Sequence, residues 1–202
     1  MYLTLFNTPV LKYFLRGLSL FLLKRFGWKT VGQLPAESKY VLIFAWHTSN
    51  WDLFYGVLVA FALKLDFFYL AKKELFRWPF GSLMKWLGGV PIERKGSHHS
   101  VNEMIRKINE NERFVLGISP EGTRRKVQYW KSGFYHIAEC AGIPILLTFL
   151  DYEHKKGGVG HLMYLTGNID RDMHIIRDFY ATVKGKYPDQ TSPAAIFPKQ
   201  KS

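Results

Sequence analysis

The run Tyr40-Val41-Leu42-Ile43-Phe44-Ala45-Trp46 ends abruptly at His47, Thr48, Ser49 and Asn50. It is too short for a helix of its own and is bounded by turn formers, so it reads as a buried strand that delivers His47 to a sheet edge. Thr48, Ser49 and Asn50 are residue types that cap a helix start, which places a tight turn and then a helix after the strand. Asp52 follows His47 by five positions. Residues so spaced lie on opposite faces of a strand and about 140° apart on a helix, so only a turn between the two elements lets them touch. In that geometry Asp52 can accept from one imidazole nitrogen and leave the other free as a proton acceptor, the pairing of general-base catalysis. The same residues also fit a plain helix cap and a turn histidine.

The chain is long enough for one sizeable core, with 202 residues of which 48% are hydrophobic. Its formal charge of +12 implies an anionic partner, with nucleic acid, anionic lipid and phosphorylated metabolites all fitting. Distribution narrows the choice. Before Glu37 there is no acid, and Lys12, Arg16, Lys24, Arg25 and Lys29 interleave with Leu, Phe, Tyr and Trp. That points to a membrane surface carrying anionic lipid and away from nucleic acid. From Thr8 to Trp28 the apolar residues follow helical spacing, but basic residues interrupt them too often for a span of about 20 apolar residues. An amphipathic helix lying in the interface is the expectation, with a helix packed on the core as the other reading. The basic residues follow the first apolar stretch where a secretory signal would have them precede it, which makes cytosolic exposure the default. Cys140 sits at helical spacing in Ile-Ala-Glu-Cys-Ala-Gly and is expected in the core.

Taken in order, the pattern predicts strands at Tyr40–Trp46, Phe67–Ala71, Val90–Ile92, Phe114–Ile118, Pro144–Leu150 and Leu162–Thr166. Helices are expected at Leu53–Leu63, at Glu74–Leu87 with a break near Pro79 and Gly81, and at His99–Asn109, Ser132–Ala141 and Asp172–Val183. The alternation argues for an α/β layered fold with a largely parallel central sheet flanked by helices. Residues 1–30 are expected to form the membrane-associating helix and 31–202 a single domain. Such sheets place their sites at the carboxyl ends of strands. His98, His99, His136, His154, His161 and His174 lack partners at ligand spacing, and no metal site is expected.

Two further stretches fall at strand ends. Gly88-Gly89-Val90-Pro91-Ile92-Glu93-Arg94 places Arg94 among glycines, where a guanidinium can grip an anion bidentately. Ser119-Pro120-Glu121-Gly122-Thr123-Arg124-Arg125 follows the Phe114–Ile118 strand in the same way. Either alone fits a solvated basic loop. In order and spacing, however, His47 to Asp52, Gly-Val-Pro-Ile-Glu-Arg, Pro-Glu-Gly-Thr-Arg and Gly142-Ile-Pro-Ile-Leu-Leu147 together resemble the glycerolipid acyltransferases of the lysophosphatidate, PlsC-like type. Ala71-Lys72-Lys73-Glu74-Leu75 and Lys131-Ser132-Gly133 are similar to that family as well. Trp46 stands where the family usually has asparagine, and Leu146 and Leu147 continue where it has a further proline.

The resemblance implies transfer of a fatty acyl group from a thioester, acyl-CoA or acyl-carrier protein, to a hydroxyl of a glycerophosphate or lysophospholipid. These are co-substrates, and no cofactor is implied. His47 would be the base and Asp52 its orienting partner. Arg94 and Arg124, with Lys73 as a third cation, would bind the acceptor's phosphate, while Glu121, Gly122 and Thr123 would shape the loop beside the base. The enzyme would work peripherally at the cytoplasmic face of a membrane. The alternatives are the same chemistry on another lipid such as an amino lipid, or a non-catalytic basic protein that binds lipid or nucleic acid.

Overall fold

The structure, a computed structural model, describes residues 3–92 and 97–197. In chain order it comprises α1 (Leu11–Arg25), β1 (Lys29–Val31), β2 (Lys39–Phe44), α2 (Trp51–Leu63), β3 (Phe68–Lys72), a 3-10 turn at Lys73–Phe76, α3 (Gly81–Trp86) and β4 (Gly89–Ile92). The second half comprises α4 (Ser97–Glu110), β5 (Phe114–Ile118), α5 (Gly133–Ala141), β6 (Ile145–Asp151), β7 (Lys156–Met163) and α6 (Ile169–Ala181). The seven strands form one sheet in the order β1-β7-β6-β2-β5-β3-β4. From β6 across to β4 the neighbours are parallel, and β6 pairs with β7 antiparallel.

The apolar run of β2 is explained by layers on both sides of the sheet. Val41, Ile43 and Ala45 pack on one face with Met104 and Ile108 of α4, Phe134 and Ile137 of α5, and Ile176 and Tyr180 of α6. Tyr40 and Leu42 alternate to the other face with Ala60 of α2. There α1 closes the layer, its Leu23 clustering with Leu58, Val59 and Ala62 of α2 and Leu150 of β6. A central parallel strand buried on both faces has no use for a polar side chain, so alternation disappears from its sequence.

The parallel arrangement brings the carboxyl ends of β2, β3, β4, β5 and β6 to one edge. Tyr180 pins two of these strands from beneath: its buried hydroxyl lies 2.8 Å from Thr148 O of β6 and 3.0 Å from Ile43 O of β2. Trp46 and Trp130 pack on its ring at centroid distances of 5.6 and 5.7 Å.

The expected break in the Glu74–Leu87 segment is present: the 3-10 turn ends at Phe76 and α3 starts at Gly81, with Pro79 between them. Other elements differ from expectation. The last strand is β7 at Lys156–Met163, not Leu162–Thr166, and α6 begins three residues early at Ile169. Gly157, Gly158 and Gly160 disguised β7 as a loop; at Gly158 a Cβ would collide with the Val31 carbonyl of β1, so the glycine permits that pairing. Three-residue β1 carried no signal of its own. Cys140 is exposed, not in the core. The stripe Phe134, Tyr135, Ile137 and Ala138 turns the other side of α5 inward.

Tyr180→Phe removes one buried donor between β2 and β6; Ile43 O keeps the Thr148 hydroxyl at 2.9 Å, but Thr148 O loses the phenol, which costs about 1–3 kcal/mol. At roughly 2–4 °C per kcal/mol for a chain of this size, calorimetry should show a clear fall in Tm; an unchanged Tm would mean the hydroxyl contributes nothing to the strand link.

Candidate active site

Asp52 lies in the first turn of α2, and its side chain is fully buried. A buried carboxylate must be paid for in hydrogen bonds, and this one has three donors. Its Oδ2 accepts from the backbone N–H groups of Thr48 and Ser49 at 2.8 and 2.7 Å, and its Oδ1 accepts from the Tyr152 hydroxyl at 2.7 Å. Of the expected capping residues, Ser49 accepts from the Trp51 N–H at 3.2 Å through its Oγ, whereas Asn50 makes no side-chain cap bond, and the Asp52 carboxylate folds back onto the turn that precedes it.

That turn brings His47 over the carboxylate. Its Nδ1 is 3.3 Å from Asp52 Oδ2, close enough to pair but not aligned as a hydrogen bond. Such loose geometry is common before substrate binds. With Nδ1 turned to the carboxylate, Nε2 is the nitrogen left for a reacting hydroxyl. Trp46, one residue earlier, points into the core, where its indole N–H donates to Val183 O at 3.0 Å.

Glu121 enters from the loop after β5. It is buried, and its Oε2 accepts from the His47 backbone N–H at 2.6 Å. Burial pushes its carboxyl up, against the opposing influence of the His47 N–H and Ser192. Gly122 follows at φ +63°, and a Cβ there would meet the Lys131 ammonium at 2.8 Å. Glycine therefore lets the loop turn tightly beside that lysine. Thr123 accepts from the Arg125 N–H at 3.3 Å, and Arg124 is exposed at the same edge.

The segment after α6, expected as an irregular tail, straps this edge together. The Tyr187 N–H donates to Thr48 Oγ1 at 3.3 Å, and Ser192 Oγ accepts from Val127 N–H at 3.1 Å. The Gln190 amide, oriented to satisfy both neighbours, donates to Thr48 O at 3.2 Å and Arg124 O at 3.1 Å. His47, Asp52, Glu121, Gly122, Thr123 and Arg124 are thus joined in one network of loops. Lys73 stands at the end of β3 in a 970 Å³ groove lined also by Arg77, Lys85 and Arg106. Arg94 lies outside the described residues. Tyr152, Gln190 and Ser192 carried no sequence motif; the hint for Tyr152 is its place just past a strand's carboxyl end. Beyond that end Asp151, Glu153 and His154 cluster, with Asp151 Oδ2 2.6 Å from His154 Nδ1, and the Glu153 and Lys184 N–H groups occupy Asp151 Oδ1.

The fold is layered α/β, with a half-buried His47 over a buried Asp52 at the carboxyl edge of the sheet, and comparison supplies the family. The family model described as Acyltransferase matches residues 29–147, and the chain belongs to that family. Among its relatives is the 1-acyl-sn-glycerol-3-phosphate acyltransferase of Haemophilus influenzae, 27% identical over 141 residues, which are 65% of this chain and 57% of that protein. The enzyme of the same name from Escherichia coli K12 is 28% identical over 147 residues, 68% of this chain and 58% of that one. The chain therefore spans less than two thirds of the length of these relatives. The crystal structure of the 1-acyl-sn-glycerophosphate (LPA) acyltransferase PlsC of Thermotoga maritima matches with a TM-score of 0.60 at 16% identity, covering 87% of this chain and 81% of that one; it shares the fold.

The raised carboxyl of Glu121 gives a signed expectation. A group whose folded pKa is raised contributes most to stability when protonated, and that contribution is lost as pH rises through the folded value. Glu121→Gln keeps an acceptor for the His47 N–H and removes the charge. Its Tm relative to wild type should therefore climb as pH rises above the ordinary glutamate value of 4.5. A difference in Tm that stays constant with pH would show that burial does not govern this carboxyl.

Proposed function

We propose that this protein moves a fatty acyl group from an acyl thioester to a hydroxyl of a glycerophosphate or lysophospholipid, with His47 as general base. The observation that carries the reading is the imidazole held over the buried Asp52 carboxylate at a parallel-sheet edge, 3.3 Å away. Nε2 takes the proton as the acceptor oxygen attacks the thioester carbonyl. The new C–O bond forms, the C–S bond breaks, and the proton passes from His47 to the departing thiolate. Asp52 stabilises the imidazolium in between. The names of the relatives support a glycerophosphate acceptor, and acyl-CoA or acyl-carrier protein serves as donor. Arg94, Arg124 and Lys73 bind the acceptor's phosphate, and Glu121, Gly122 and Thr123 shape the loop that faces it.

The lipid acceptor calls for an interfacial enzyme, and α1 supports one. Leu23 packs inward while Phe14, Leu18 and Phe21, at helical spacing, remain exposed together with Trp51, Leu53 and Phe54 of α2. Phe26, just past α1, contacts Phe54 at 6.2 Å between ring centroids, which makes the apolar surface continuous from α1 to the helix that carries Asp52. Among the described residues no helix is long and apolar enough to cross a membrane. Lys12, Lys24 and Arg25 of α1 each add roughly 1 kcal/mol toward an anionic leaflet when near it. The chain then rests on a bilayer at its cytoplasmic face, and the acceptor's headgroup reaches His47 while its acyl chain stays in lipid.

Transfer of labelled acyl groups from acyl-CoA and acyl-carrier protein to a panel of lysolipids tests the chemistry. His47→Ala should lower the rate by about 10²–10⁴ with the fold intact. Full activity in that variant would sink the mechanism, and vesicle binding with no transfer by wild type would favour a non-catalytic lipid-binding protein. For the surface, Phe14→Asp with Phe21→Asp should weaken binding to anionic vesicles at least about tenfold at unchanged Tm, since each buried phenylalanine is worth about 1.5–3 kcal/mol. Unaltered vesicle binding would place the membrane contact elsewhere.

A further inference from the structure

We propose that Tyr152 is a positioning residue of this site, fixing the Asp52 carboxylate from the side opposite the turn and setting the charge that His47 meets. Two backbone N–H groups and the imidazole gather at Oδ2 of Asp52, and the Tyr152 hydroxyl donates to Oδ1 at 2.7 Å. Without it Oδ1 loses its hydrogen-bond donor, while Oδ2 stays anchored beside Nδ1 by the Thr48 and Ser49 N–H groups.

The phenol is itself held from three directions. Its backbone N–H donates to Lys184 O at 2.9 Å, fixing the chain just past β6. Its ring stands perpendicular to Trp28 at 5.0 Å and nearly perpendicular to Tyr55 of α2 at 5.9 Å, and those two rings stack on each other at 4.3 Å. A side chain that only filled space would not need its oxygen aimed at a carboxylate. Burial first, and then the Asp52 bond, push the phenol above its ordinary value of 10.0, so it remains a donor wherever the enzyme works.

A donor on Asp52 draws off part of its negative charge, and a carboxylate with less charge stabilises an imidazolium less. Removing that donor should therefore strengthen the attraction between Asp52 and a protonated His47 ring. The other groups that face the cluster are Glu121 at the His47 N–H, Tyr55 and Tyr187 near the phenol, and Lys186, whose ammonium lies 4.8 Å from the Trp51 ring centroid. None of these donates to Asp52 Oδ1 in the structure.

The kinetic consequence rests on the acyl-transfer reading; the electrostatic one does not. NMR titration of the His47 ring protons, in the full chain without substrate, therefore tests the inference independently. In Tyr152→Phe the His47 titration should move to higher pH, kcat should fall about tenfold, and KM for both substrates should stay within about twofold. Replacing Tyr152 with 3-fluorotyrosine, a stronger donor of nearly the same size, should move the titration to lower pH and decides the matter if the phenylalanine variant does not fold. A His47 titration that responds to neither replacement overturns the proposal. If wild type transfers no acyl group while the two shifts appear, the acyl-transfer reading fails and the positioning role stands.

Discussion

The buried carboxylate of Asp52 is the constraint on which the carboxyl edge of the sheet depends. Removing a charge from water costs several kcal/mol unless hydrogen bonds replace the lost hydration. Here they come from two places far apart in sequence, the Thr48–Ser49 turn after β2 and Tyr152 after β6. The requirement couples the ends of adjacent parallel strands, so the turn that holds His47 cannot shift without leaving the charge unsatisfied. Tyr180 ties the same two strands from below through Thr148 and Ile43. Between them the imidazole sits on a rigid frame, although it belongs to a loop.

Glu121 is the second buried carboxylate at this edge, and its surroundings contrast with those of Asp52. It accepts the His47 N–H, yet burial outweighs its hydrogen bonds and pushes its carboxyl up. Asp52 faces the imidazole ring, whereas Glu121 holds the backbone of the same residue and thereby ties the β5 loop, with Arg124 on it, to the β2 turn.

The parts of this arrangement legible in sequence were those that local chemistry writes. An unbroken apolar run announces a strand covered on both faces, and β2, β5 and β6 were readable for that reason. The placement of His47, Asp52 and Glu121 at strand ends followed from alternation and turn residues. What stayed hidden was set by contacts between distant segments. Short β1 exists because it pairs with β7, and β7 is glycine-rich because β1 and α6 crowd it. Trp46 was legible as an apolar residue, but its indole bond to Val183, which turns it from the site, was not. Tyr152 stands 100 positions beyond the carboxylate it contacts, so no spacing rule reaches it. Cys140 shows the reverse error: correct helical periodicity with the wrong phase.

The first helix also resolves an ambiguity that periodicity cannot. A helix packed on a core and a helix lying on a membrane both show apolar residues every three or four positions. The two uses separate only when the inward stripe is known. In α1 that stripe is narrow, centred on Ser19 and Leu23, and it leaves Phe14, Leu18 and Phe21 facing outward. A core-packed helix that turned three large apolar side chains to water would forfeit the burial that normally justifies them, about 1.5–3 kcal/mol for each. In α1 one stripe packs on α2 and another is left exposed. The exposed stripe runs along α1 toward Phe26, which contacts Phe54 near the start of α2, and on the proposed reading a bilayer covering it would bring the acceptor toward the turn that carries His47.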